Sequence, residues 1–152
     1  SIEKTIASLI ERNHLPEFVE TKAEALAKIK NLIPKGASVM NGSSRTLDEI
    51  GFIQYLKDGN HGWNNLHKAI LEEKDQAVQA VLRKQSVLSE FYLGSAHAIS
   101  ETGEIVIASN SGSQLPHLVF TSQNLILVVG TQKITPDLDS AIAQGWLPSG
   151  YI

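Results

Sequence analysis

An α/β fold, a mostly parallel sheet flanked by helices, is predicted by three features of this sequence. Short aliphatic segments alternate with longer stretches whose apolar residues recur at helical spacing, the order that lays strands side by side with helical crossovers between them. One segment, Leu125-Ile126-Leu127-Val128-Val129, is aliphatic at every position, as expected of a strand buried on both faces. Small polar loops follow several of the strands, the position where ligands gather in open α/β sheets. The 152 residues suit one domain spanning 1–152, because domains cluster at roughly 100–150 residues.

The elements follow in order. Ile2, Ile6, Leu9 and Ile10 recur among charges over 2–14 and predict an amphipathic helix ending near Asn13 and Pro16. Phe18-Val19-Glu20 reads as a brief strand, and Thr21 as the cap of a helix whose apolar face is Ala25, Leu26, Ile29, Leu32 and Ile33. Pro34-Lys35-Gly36 ends that helix and leads into a strand over 37–40 that stops at Asn41-Gly42. Thr46 and Glu49 have capping-box spacing, so a helix is expected from about Leu47, broken by Lys57 to Gly62. Residues 65–89 read as one or two helices, with Glu72-Glu73-Lys74-Asp75 as a solvated helical face.

The second half is richer in strands. Glu90 to Leu93 predicts one, Ala96 to Ser100 a helical turn, and Glu104 to Ala108 another strand. A polar loop over 109–113 precedes a helix around Leu115 to Phe120, then comes the aliphatic strand 125–129 and a last helix beginning at Asp137. Repeats, low-complexity tracts and linkers are absent from the sequence.

Composition excludes several function classes. A formal charge of -3 and a pI near 5.9 give no reason to expect nucleic-acid binding, which rests on a dense basic face. With no cysteine, the chain cannot supply a thiol nucleophile, a disulfide, or thiolate ligands to zinc or an iron–sulfur cluster. No stretch approaches the ~20 apolar residues that span a bilayer, and the charged N-terminal segment is unlike a secretory signal; a soluble, cytoplasmic protein is expected.

The strongest site signal is Asn41-Gly42-Ser43-Ser44-Arg45-Thr46, between a strand and a helix start. Backbone N–H groups and hydroxyls in such a turn can surround an anion, with Arg45 as a charge partner; equally, Ser44 or Thr46 can simply cap the helix while Gly42 makes the turn. The Gly-Lys-Ser/Thr ending of a Walker A loop is missing. Two further loops, Gly94-Ser95-Ala96-His97 and Ser109-Asn110-Ser111-Gly112-Ser113-Gln114, also follow strands, so all three can converge on one crevice. Glu101, between these two loops, is a candidate nucleophile or general base, with a solvated turn position as the alternative. The five histidines, His14, His61, His67, His97 and His117, form no HExxH or other compact metal pattern, and no metal site is expected. Ser95 and His97 are not read as a dyad, and Trp63 and Trp146 are read as core by default.

Four ordered motifs carry a family resemblance: Asn41-Gly-Ser-Ser-Arg-Thr-Leu-Asp-Glu-Ile-Gly51, Phe91-Tyr-Leu-Gly-Ser-Ala-His-Ala-Ile-Ser-Glu-Thr-Gly-Glu104, Ile107-Ala-Ser-Asn-Ser-Gly-Ser-Gln-Leu-Pro116, and Val128-Val-Gly-Thr-Gln-Lys-Ile-Thr-Pro-Asp137. Over about 18–143 the chain resembles the LUD, or lactate-utilisation, domain family. The resemblance implies an α/β fold similar to the ribose-phosphate isomerase, glucosamine-phosphate isomerase and CoA-transferase superfamily. Some members of that family belong to systems that oxidise lactate to pyruvate together with iron–sulfur and other redox subunits, while many are uncharacterised, so the resemblance implies a component of lactate utilisation. Ser100-Glu101-Thr102-Gly103 is similar to the short glutamate-glycine motif carrying the nucleophile of CoA transferases. After about Ala143 the chain departs from the family pattern, which predicts a shortened C-terminal end.

The expected function is therefore binding of a small anion, an organic acid or a phosphorylated or nucleotide-like molecule. Gly42, Ser43, Ser44, Arg45 and Thr46 form the cradle, and Gly94, Ser95, Asn110, Ser111, Gly112 and Gln114 complete the crevice. The alternatives are a non-catalytic subunit docking onto an iron–sulfur redox protein, and a CoA-transferase-like enzyme using Glu101. A homo-oligomer is compatible with each.

Overall fold

A computed structural model describes residues 1–146. Helix α1 (Ile2–Glu11) leads to α2 (Lys22–Leu32), then strand β1 (Ser38–Asn41). Two short helices, α3 (Arg45–Glu49) and α4 (Phe52–Asp58), precede β2 (Asn64–Asn65), α5 (Leu66–Glu72) and α6 (Gln76–Gln85). Strands β3 (Phe91–Gly94), β4 (Ala98–Ser100) and β5 (Ile105–Val106) follow, then β6 (Asn124–Leu127), β7 (Ile134–Thr135) and α7 (Leu138–Gly145). The α/β expectation holds: β2-β1-β3-β6 form a four-stranded parallel sheet. A smaller sheet, β5-β4-β7, pairs β4 antiparallel with β5 and parallel with β7.

The larger core lies on one face of the parallel sheet. Val39, Leu93 and Ile126 project from β1, β3 and β6 onto Ile29 and Ile33, Leu47, and Phe52 and Leu56. Trp63 closes it, its indole N–H donating to the Ile33 carbonyl at 3.2 Å, so the core expectation for that residue holds. Thr21 and Glu24 form a reciprocal capping box that starts α2, satisfying N–H groups the first turn leaves unbonded. A smaller core, Leu9, Ala96 and Ile99, holds α1 against the second sheet.

Several sequence expectations are corrected. Phe18-Val19-Glu20 is an irregular connection rather than a strand; no sheet edge pairs with it among the described residues, and Phe18 is half exposed. The helix after β1 is capped by Ser44, whose hydroxyl accepts the Leu47 N–H at 3.2 Å, and not by Thr46. It breaks at Gly51, where φ is +85°. Glu73-Lys74-Asp75 is no helical face but the interruption between α5 and α6, with Asp75 accepting the N–H groups of Ala77 and Val78. Ala96–Ser100 supplies β4 instead of a helical turn, because Ala98 and Ser100 are small enough to sit fully buried between β5 and β7. Trp146 is exposed. The strand at Leu125 is a terminal strand with an exposed start, not one buried on both faces. The shortened end expected after Ala143 falls largely on 147–152, outside the described residues.

Gly51 gives a direct test of how this bend is made. A Cβ there would meet only Leu26 Cδ2, at an ordinary 3.6 Å, so space is no obstacle; the left-handed backbone is. Gly51→Ala is expected to lose about 1–2 kcal/mol of stability in urea denaturation. An unchanged midpoint would show that the α3–α4 break tolerates a side chain.

Candidate functional site

The site forms where β1 and β3 end. After Asn41 the chain turns through Gly42, whose N–H donates to the Leu93 carbonyl at 3.0 Å. A Cβ at Gly42 would lie 2.5 Å from Tyr92 Oη, so a side chain there would have to displace the tip of the Tyr92 ring. Ser43 is exposed and Ser44 is committed to capping. Arg45 points along its own helix to Glu49, Nε to Oε1 3.1 Å, in an exposed i,i+4 pair. Thr46 is the cradle residue that turns toward the second loop: Ser95 Oγ donates to Thr46 Oγ1 at 3.4 Å.

Lys133 completes this junction, and the sequence reading missed it. It ends a single 3-10 turn, Thr131–Lys133, between β6 and β7. Its ammonium donates to the Ala96 carbonyl at 3.0 Å, Ser95 Oγ at 3.3 Å and Thr46 Oγ1 at 3.4 Å. Among the described residues no carboxylate lies within ion-pair distance of it. Burial pulls its pKa below the ordinary lysine value, while the more distant Glu49 charge opposes that pull. A half-buried cation bonded only to neutral oxygens keeps its charge uncompensated, and in this lowered dielectric an arriving anion is attracted more strongly than at the surface. The signal was within the fourth motif: a lone lysine a few residues beyond the most aliphatic strand.

The third loop is not bonded to this junction. Ser111 Oγ and Ser113 Oγ bond each other at 2.9 Å, and Gly112 N–H donates to Ser109 Oγ at 2.9 Å. Asn110 and Ser111 are exposed, and Gln114 lends its carbonyl to the Leu118 N–H. His97 ties the start of that segment down, its Nδ1 accepting the Ala108 N–H at 3.2 Å. Burial, then the nearby Lys133 charge, lower the His97 pKa. Ser95 and His97 thus have different partners.

Glu101 occupies the other sheet. Its carboxylate takes the Ser1 ammonium and, at 3.3 Å, Lys4 Nζ, and its carbonyl accepts Ser8 Oγ at 2.8 Å. Hydrogen bonds to the ammonium groups, that of Ser1 before that of Lys4, hold its pKa below the usual carboxylate value. Glu104 makes the companion contact, accepting Ser100 and Thr102 hydroxyls and pairing with Arg12. Those hydroxyl bonds bring its pKa from 4.5 down to about 2. A depressed carboxylate pKa stabilises the fold above the unfolded value and loses that contribution as pH falls toward the folded one. Stability is therefore expected to decline between about pH 4.5 and about 2, and Glu104→Gln should flatten that limb in acid denaturation monitored by circular dichroism.

Two buried polar contacts lie beside the Gly42 turn and escaped the sequence reading. Asn41 Oδ1 faces His67 Nδ1 at 3.2 Å, and its amide donates to the Gly42 carbonyl. On β3, the Tyr92 ring stacks on His117 with centroids 4.3 Å apart. Burial pushes the Tyr92 pKa up to about 12 and lowers those of His117 and His67, with Arg83 adding to the His67 shift. Neither histidine reaches other titratable groups in a metal-holding cluster among the described residues, and the absence of cysteine leaves no thiolate ligands for an iron–sulfur cluster on this chain.

No curated protein and no solved structure matches the sequence. The family model of the LUD domain matches residues 2–145, reaching beyond the resemblance expected over about 18–143 to include α1. Matching nearly the whole chain, that model shows that the protein belongs to the LUD domain family.

Proposed function

We propose that this LUD-domain protein binds a small organic acid, as a component of lactate use, with the acid's carboxylate held at the Lys133 junction. The observation that carries the reading is the Lys133 ammonium, drawn between two strand-end loops and bonded to Thr46, Ser95 and the Ala96 carbonyl, with no carboxylate partner among the described residues. A bound carboxylate supplies the missing charge, and the two hydroxyls orient it by donating to its oxygens. Phosphate and carboxylate share this chemistry, so the test uses both. Titration calorimetry with L-lactate, pyruvate and inorganic phosphate is expected to give one site per chain that favours the organic acids. Phosphate alone binding would move the assignment to a phosphorylated ligand, and no binding by any of the three would reject it.

Oxidation of a 2-hydroxy acid to its keto acid releases two electrons and two protons. A cysteine-free chain holds no cluster to receive those electrons, which favours an iron–sulfur redox partner as the acceptor in such a system. Binding of the acid is then a property of the isolated chain, whereas turnover requires the partner.

A further inference from the structure

We infer that the open edge of β6 is a self-association surface, at which a second copy of this chain adds its own β6 antiparallel and joins the two parallel sheets into one. The inference is independent of the ligand reading.

β6 ends the sheet, and among the described residues nothing pairs with its outer side. Toward β3, Asn124 N–H donates to the Glu90 carbonyl and Val128 N–H to the Gly94 carbonyl, each at 2.9 Å. Peptide groups alternate in direction along a strand, so those of Leu125 and Leu127 face outward. Natural edges are usually guarded by charge, proline or a covering element; β6 itself carries neither charge nor proline, and no strand covers its outer side among the described residues. From Ile105 to Gln132 the sequence contains no Asp, Glu, Lys or Arg, although charged residues make up 19% of the chain. The carboxylate of nearby Glu90 is turned toward β1, bonding the Ser38 N–H at 2.8 Å.

That neutrality selects the occupant. Across a two-fold axis a surface meets itself, so any charge near the axis meets its own sign; a charge-free edge is self-complementary. The apolar area is also suitable. Phe120 is 90% exposed, Val119 78% and Leu88 75%, and Leu125 on the strand is 41% exposed. Together they offer roughly 500 Å² of the about 800 Å² each partner gives a standard interface, with the strand itself adding to it. Ile126, Val128 and Val129 pack against the cores of their own chain, and the exposed Leu125 is covered by association of two chains.

Pairing the free groups of Leu125 with those of Leu127 sets the proposed register. Leu125 of each copy lies opposite Leu127 of the other, exchanging both hydrogen bonds, and Ile126 meets its own copy on the axis as a non-hydrogen-bonded pair. Such pairs have Cα atoms about 4.5 Å apart, within disulfide range.

Sedimentation velocity on the whole chain is expected to show a dimer. Leu125→Pro deletes an outward N–H and leaves the β3 side intact, and Phe120→Asp places like charges in the patch; each is expected to give a monomer with an unchanged circular dichroism spectrum. If Leu125→Pro does not fold, Phe120→Asp decides, since its side chain is on the surface. Ile126→Cys introduces the sole thiol and is expected to yield a disulfide-linked dimer on mild oxidation. A monomeric wild type at every concentration, a dimer that survives Phe120→Asp, or a folded Ile126→Cys that does not cross-link overturns the proposal.

Discussion

Lys133→Met will weaken L-lactate binding by on the order of 10- to 100-fold, the loss expected when a charge-assisted hydrogen bond of about 1.5–3 kcal/mol is removed. Methionine keeps an unbranched side chain, one atom shorter, and removes the charge and the donors. The Ala96 carbonyl, Ser95 and Thr46 that now receive the ammonium lose one partner each, but Ser95 Oγ retains its bond to Thr46, so the junction keeps its shape. Calorimetry on a variant with an unchanged melting curve separates lost affinity from lost fold. Affinity equal to that of the wild type would place the acid elsewhere. The pH dependence has a definite sign. Burial lowers the Lys133 pKa, so the ammonium loses its proton below the ordinary lysine range, and wild-type binding should fade with rising pH before free lysine would titrate. Lys133→Met should show no such alkaline limb.

Phe52→Ala is expected to be the most damaging single core substitution, with a loss of about 3–5 kcal/mol in urea denaturation. Phe52 is fully buried and is the largest of the fully buried side chains. It packs against Trp63 with ring centroids 6.3 Å apart, inside the cluster that joins β1 and β3 to α2, α3 and α4. Truncation removes the ring's contacts and leaves a void that a close-packed interior fills only in part. With total stability of a domain at about 5–15 kcal/mol, that is a large share. Trp63 reports the change directly, since its emission should shift to the red as water reaches the ring. A loss near 1 kcal/mol would mean that α4 relaxes onto the sheet and fills the space.

Much of the fold was legible because its signals are local. Thr21 and Glu24 cap α2 through bonds spanning three residues, and Asp137 caps α7 over the same distance. Three strands of the parallel sheet, β1, β3 and β6, announced themselves as apolar runs, whereas β2, the polar pair Asn64–Asn65, carries no such signal. The errors arose where neighbours in space override neighbours in sequence. Ala96–Ser100 has the composition of a turn, yet β5 and β7 on either side make it a strand. Ser44 and Thr46 are equivalent caps on paper, and the direction of the chain leaving Gly42 decides between them.

At the candidate site, residue type alone sets the chemistry of the strand ends: glycine at the turn, hydroxyls to donate, and no cysteine anywhere in the chain. Which of these groups meet is settled by the folded chain. It brings Thr46 to Ser95 and sends Lys133 between them from a turn many residues downstream, while Arg45 pairs with Glu49 and Glu101 holds α1. The reason is physical. Residue type and spacing set what a side chain can bond, but the partners of a long cation are fixed by sheet order and crossover, and these depend on packing summed over the whole chain.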